Sequence, residues 1–236
     1  MQRDISATEE MERPDADPAL LERTYAQFRL VNLVVSGWRG VYVRLVRPQL
    51  PRRGTGTILD IGCGGGDLAL ALLRWARADG YEVRVLGIDP DARAHDFSTR
   101  AAASAGPGEP GIEFRRTTSS VLVAEGARFD VVVSNHVLHH LDPPQLAGVL
   151  ADSQHLARGL SIHSDIRRRR SALLLFGLAT LPLAGSSFIR RDGLTSIRRS
   201  YTPGELARVL PPGWHAHTQG QYRNLAIWRA EARMAP

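Results

Sequence analysis

The chain has 236 residues, 43% of them hydrophobic and 23% charged, which suits one sizeable α/β domain with a decoration and is short for two independent domains. Its single cysteine, Cys63, excludes intramolecular disulfides and any multi-cysteine metal site. The net charge of +6 is spread along the chain, apart from Arg167 to Arg170, and no aromatic residues are interleaved with it, so no nucleic-acid groove is expected.

Residues 1–16 are polar, acidic and proline-bearing, and read as a disordered N-terminus. They lack the apolar core of a signal peptide, which points to a cytoplasmic location. Residues 17–236 read as a single domain. Asp17-Pro18 is a helix start, with Asp as N-cap and Pro at the first helical position. Apolar residues recur from Leu20 to Val35 and, after Gly37, from Trp38 to Val46, so 17–48 is expected to be a helical N-terminal extension.

Thr57-Ile58-Leu59-Asp60-Ile61-Gly62-Cys63-Gly64-Gly65-Gly66-Asp67 then reads as a strand, an acid at its end and a glycine turn, leading into the helix Leu68 to Ala78. Glycines let the backbone approach a ligand, and the helix N-terminus offers free N–H groups. From Gly62, the sixth position is Asp67, so the dinucleotide fingerprint G-x-G-x-x-G/A fails, and the Walker G-K-[ST] is absent. A carboxylate at the strand end suits an ammonium group better than a phosphate. The second strand, Val83 to Asp89, closes in another acid at the spacing of a βαβ unit. Asp89 is placed to accept both ribose hydroxyls; capping the next helix (Pro90 to Ser104) is the plainer role, which Asp91 could fill.

After a loop at Gly106 to Gly111, Ile112 to Arg116 is a third strand, followed by Thr117-Thr118-Ser119-Ser120. Phe129 to Leu141 carries the fourth strand, with Asn135, His136, His139 and His140 at its carboxyl end, and Asp142-Pro143-Pro144-Gln145 is a capped helix start for 144–157. Leu160 to Asp165, containing His163, is the fifth strand. Residues 166–200 are an insert with an uncharged stretch, 171–189, which Gly177, Pro182 and Gly185 break too often for a spanning helix. Thr202-Pro203-Gly204-Glu205 is a capping box for helix 203–210, and Gly213 to Thr218 and Gln221 to Trp228 form a last hairpin.

The D-x-G-x-G-x-G run from Asp60 to Gly66, Asp89 on the next strand and Asn135-His136-Val137-Leu138-His139-His140-Leu141 together resemble the class I S-adenosylmethionine-dependent methyltransferases of small-molecule type. The resemblance covers Thr57 to Asp165 and is nearest to the ubiquinone/menaquinone-biosynthesis and bacterial secondary-metabolite enzymes. It implies an α/β, three-layer, Rossmann-like seven-stranded sheet with its last strand antiparallel, N-terminal helices and a helical insert after strand five. S-adenosylmethionine is the implied cofactor, held by Asp60, Gly62, Cys63, Gly64, Gly66, Asp89, Pro90, Asn135 and His136. Thr118 and Ser119 stand where relatives carry an adenine-binding Asp.

For chemistry, His139 and His163 are the candidate bases and Asp165 the orienting carboxylate. A metal is not expected, because magnesium-dependent relatives use carboxylates and amides. The implied function is methyl transfer to a phenolic or enolic oxygen of an aromatic polyketide, alkylphenol or quinone precursor. C-methylation of a quinone-type ring and S-adenosylmethionine binding without transfer are the alternatives. Phe176, Arg190 and Arg198 are the candidate substrate contacts for a hydrophobic aromatic acceptor. The apolar insert also allows a peripheral membrane contact, and the chain is expected to be a monomer or homodimer.

Overall fold

The computed structural model describes residues 1–105 and 110–230, with backbone alone for 29–35 and 105; Gly106 to Glu109 of the expected loop lie outside the described residues. Seven strands form one sheet in the order β3-β2-β1-β4-β5-β7-β6. They are β1 Gly56–Ile61, β2 Val83–Ile88, β3 Ile112–Arg115, β4 Phe129–Asn135, β5 Ala157–Ile166, β6 Trp214–Gln219 and β7 Arg223–Arg229. Neighbours are parallel as far as β5, and β7 runs antiparallel to both β5 and β6. This is the expected Rossmann-like sheet with an antiparallel last strand. The helices are α1 Pro18–Val35, α2 Trp38–Val41, α3 Asp67–Ala78, α4 Ala92–Ala105, α5 Ser119–Ala124, α6 Pro143–Leu156, α7 Arg170–Ala179, α8 Ile189–Arg199 and α9 Pro203–Val209.

The strands read as apolar runs because both faces of the sheet are covered. Ile58, Val131, Val133, Leu160 and Ile162 pack on one face with Trp38, Tyr42, Leu72 and Leu73. Leu59, Ile61 and Val132 pack on the other with Leu122 and Leu156. Alternation along each strand sorts the residues between the two layers. Leu72 and Leu73 are fully buried, and each contributes about 1.5–3 kcal/mol through removal from water. Helix starts follow the chemistry of their first residues. Asp17 accepts from the N–H groups of Ala19 and Leu20 at 2.8 and 3.1 Å. Complete capping boxes open α6 at Asp142 and α9 at Thr202.

Strand β1 sits between β2 and β4, so the chain turns outward in both directions from it. The crevice at the carboxyl ends of these strands is where an open α/β sheet binds ligands. The insert after β5 closes over that edge. Arg168, in the middle of the basic run, is buried. It donates to the Ser200 carbonyl at 3.0 Å and pairs with the Glu205 carboxylate, tying the root of the insert to α9. Among the described residues no helix is long and apolar enough to cross a membrane.

Residues 1–16, expected to be disordered, lie across the insert in this structure, with a 3₁₀ turn at Glu10–Glu12. The Asp4 N–H donates to the Arg198 carbonyl at 3.1 Å, and the N–H groups of Glu10 and Met11 donate to the Asp192 carboxylate at 2.7 and 3.1 Å. Glu9 is 3% exposed. The partners of this polar segment stand on α8, nearly two hundred residues away.

Candidate active site

The first end of the site is the turn from β1 into α3. The N–H groups of Gly62 and Cys63 donate to the Ile88 carbonyl at 2.8 and 3.0 Å, which locks the turn against β2. Gly62 has φ +66°, and a Cβ there would meet Val137 at 2.6 Å. Gly64 has φ +52° with open space above it. Both conditions call for glycine. Asp60, 1% exposed, points its Oδ2 at no hydrogen-bond partner among the described residues. Burial, with Asp67 and Asp89 nearby, pushes its carboxyl well above the usual range. A cationic ligand would relieve that strain.

Asp89 stands beside the turn, its Oδ2 accepting from Gly64 N–H at 3.0 Å and its Oδ1 from Asp91 N–H at 2.9 Å. Asp91 accepts from Arg93 N–H at 2.8 Å at the start of α4. The cap is thus Asp91, and the Asp89 carboxylate faces the crevice. Cys63 lines it too, but burial pushes its thiol well up, which keeps it protonated and unreactive. Three expected contacts do not reach the crevice. Gly66 packs against Phe114, where a Cβ would stand 2.5 Å from the ring. Ser119 donates to Asp152 at 2.6 Å between α5 and α6, and Thr118 exchanges a hydrogen bond with Ser120.

The second end is built by β4, β5 and the N-terminal segment. His136 has φ +60°, alone among the described non-glycine residues. Its Nε2 accepts from Arg223 at 2.8 Å. Arg223 also donates to Asn135 and Ser164, and burial lowers its pKa to about 10. His139 Nδ1 meets Asp165 Oδ1 at 2.7 Å, and its backbone N–H donates to Asp165 Oδ2 at 2.8 Å. Its Nε2 faces Glu9 Oε1 at 3.3 Å. Burial alone would lower the proton affinity of His139, but Asp165 and Glu9 outweigh it and raise its pKa to about 9. Asp165, opposed by burial, is held well below the usual carboxylate range by His139. Carboxylates facing both ring nitrogens favour a proton on each, so His139 is not a free base in this arrangement.

His163 is not a base either. It lies two residues before Asp165, roughly 7 Å deeper along the strand, fully buried between Ser134 and Ser161 and stacked near Trp214. Burial pulls its pKa down to about 3, and it does not line the crevice.

Between these ends runs a cavity of about 640 Å³ whose far wall is apolar: Leu175, Phe176 and Ala179 from α7, Ile189 and Ile197 from α8, and Phe28 from α1. Phe176 is where the sequence put a substrate contact. Arg190 and Arg198 are not. Arg190 donates to the Gly177 carbonyl and closes the end of α7, while Arg198 is exposed. Glu9 and Arg223 escaped the sequence reading. Arg223 left one signal, a charge opening a buried strand; Glu9 left none. The arrangement can hold a ligand with a cationic group and a diol at one end and an aromatic molecule along the wall.

Residues 58–159 match the protein family described as a methyltransferase domain. The ubiquinone biosynthesis O-methyltransferase of Methylocella silvestris is 33% identical over 158 residues, which is 65% of this chain and 55% of the relative. The enzyme of the same name from Roseobacter denitrificans is 40% identical over 161 residues, 65% of this chain and 57% of the relative. The chain thus spans little more than half the length of these curated relatives. Among solved structures, the plantazolicin methyltransferase BpumL, in complex with a triazolic desmethyl analogue and SAH, superposes with TM-score 0.64 at 12% identity, covering 94% of this chain and 93% of that one. The magnesium protoporphyrin IX methyltransferase of Synechocystis, with bound SAH, gives TM-score 0.51 at 16% identity, covering 91% and 100%. At these identities the likeness is one of fold.

Proposed function

We propose, for a chain that carries a class I S-adenosylmethionine-dependent methyltransferase domain, that it binds S-adenosylmethionine at the Asp60–Asp89 end of the cavity and methylates an oxygen of an apolar small molecule. One observation carries this reading: a single cavity joins a carboxylate-lined glycine turn to a carboxylate-held histidine along an apolar wall. The cofactor supplies a methyl carbon made electrophilic by a cationic sulfur. Asp60 and its neighbours offset that charge, Asp89 accepts from the ribose hydroxyls, and Gly62 and Gly64 let the backbone come close. Phe176, Leu175, Ile189 and Ile197 hold an aromatic acceptor away from water and in line, which is most of what such a displacement requires. His139, oriented by Asp165, marks where the acceptor's oxygen sits.

Oxygen is favoured over ring carbon because the polar groups of the acceptor end cluster at one point while the rest of the wall is apolar. The acceptor class we favour is an alkylphenol, aromatic polyketide or quinone precursor, handled in the cytoplasm. With methyl-tritiated S-adenosylmethionine and a panel of alkylphenols and quinols, label is expected in products that ether cleavage releases. Label that resists ether cleavage would move the reaction to carbon, and no label on any acceptor despite cofactor binding would leave a binding protein. Leu174, Leu178 and Leu181 stand 64, 56 and 53% exposed on the insert, which is where a peripheral membrane contact would form. Co-sedimentation with anionic vesicles, lost when the three are changed to Ser, is the expected result; equal sedimentation of both forms would remove the idea.

A further inference from the structure

The acceptor end holds more donor atoms than the orientation of one histidine requires. His139 and His140 are neighbours in sequence, with ring centroids 4.1 Å apart. Each commits its Nδ1 to a carboxylate: His139 to Asp165 at 2.7 Å, His140 to Glu12. Each then turns its Nε2 toward the same atom, Glu9 Oε1, at 3.3 and 3.9 Å. The three facing atoms all lie within 4.8 Å of one another. Glu9 is itself held in place, Ser196 Oγ donating to its Oε1 at 2.6 Å, while Arg199 donates to Glu12 at 2.9 Å.

From this geometry we infer a site for a divalent transition ion, with Zn²⁺ as the best match, ligated by Glu9, His139 and His140. When the ion displaces the proton that His139 Nε2 shares with Glu9, a carboxylate on the Nδ1 of each imidazole keeps the remaining proton there and turns the Nε2 lone pair to the ion, the usual outer support of a metal-bound histidine. Tetrahedral coordination at about 2.0–2.1 Å sets ligand atoms about 3.3–3.4 Å apart; the Glu9–His139 edge has that length at 3.3 Å, and the Glu9–His140 edge, 3.9 Å, must shorten by about half an ångström. Two imidazoles with one carboxylate suit zinc and its neighbours better than magnesium. Once the His139 proton has left, three carboxylates face one bonded cation, Arg199, so a dication would balance the charge. Glu9, His139 and His140 all line the cavity, which leaves the fourth position open to it.

The role of the ion rests on the oxygen-methylation reading; the site does not. An acceptor hydroxyl in the fourth position would release its proton to solvent more readily; its oxygen would keep the electron pair that forms the new C–O bond, while the methyl–sulfur bond breaks with its pair left on sulfur and S-adenosylhomocysteine as the leaving group. The test is a titration of chelator-treated full-length protein with Co²⁺, read by its visible absorption, and with Zn²⁺ by competition. One equivalent is expected to bind at micromolar concentration or tighter. Glu9→Gln and His140→Gln should each weaken binding by at least about 10-fold, and Glu12→Gln by about 10-fold through the outer shell, with circular dichroism unchanged. Absence of Co²⁺ uptake by the wild-type chain would overturn the inference, as would uptake equal in all three variants. Full methyl transfer by chelated protein that binds no Co²⁺ would sink the ion and leave the transfer reading standing. Tight Co²⁺ uptake without any methylated acceptor would do the reverse.

Discussion

Replacing Asp165 with Ala is expected to cut methyl transfer by about 100-fold while S-adenosylmethionine affinity stays within about threefold. Asp165 touches nothing at the cofactor end. It accepts from the His139 ring at 2.7 Å and from the backbone N–H groups of His139 and Ile166 at 2.8 and 2.7 Å. Removing it lets the His139 ring rotate and leaves buried donors unmatched. Breaking one side of a buried pair costs about 3–5 kcal/mol, so the variant should also melt well below the wild type. The pH dependence separates this pair from a generic loss of packing. The His139 pKa is raised to about 9 in the folded chain, against 6.5 unfolded. In chelated buffer its contribution is therefore complete below about pH 6.5 and lost as pH rises through 9. Wild-type stability should fall across that window, and Asp165→Ala should flatten the fall. A variant that keeps full turnover, or the wild-type slope, would remove Asp165 from its orienting role.

Asp89→Ala is expected to weaken S-adenosylmethionine binding by about 100-fold, roughly 3 kcal/mol for two hydrogen bonds to a charged acceptor. The carboxylate that would receive the ribose hydroxyls is set beside the turn by its bonds to Gly64 and Asp91, and Asp91 already caps α4. The change leaves the fold's apolar layers intact, since Asp89 is only half-buried at a strand end. Calorimetric titration of the folded variant is the check. Affinity within threefold of the wild type would mean that the ribose lies elsewhere.

What could be read in advance divides by the range of the interactions. The turn from Asp60 to Asp67, the acid closing β2 and the polar end of β4 are local patterns, each fixed by one strand end. The sheet order follows from them because short apolar strands joined by helices leave few other arrangements. The capping boxes at Asp142 and Thr202 are local too, and they open α6 and α9 as their residues require. The acceptor end is different. His163 reads as well as His139 in sequence, and only strand depth separates a histidine at the crevice from one sealed between serines. Arg190 reads as a substrate cation but closes a helix end. Glu9 had no signal at all, because its meaning lies in partners 130 and 187 residues away, His139 and Ser196. The polar composition of residues 1–16 carries no trace of these long-range hydrogen bonds.

In the proposed function, one cavity holds the cofactor at Asp60 and Asp89 with its reactive end turned toward His139. A crystal structure of the full chain with S-adenosylhomocysteine measures this directly. Expected are ribose hydroxyls on the Asp89 carboxylate, the amino group near Asp60, and the sulfur facing the wall shared by His139 and Phe176. S-adenosylhomocysteine bound with its ribose away from Asp89, or with its sulfur turned from that wall, would overturn this placement.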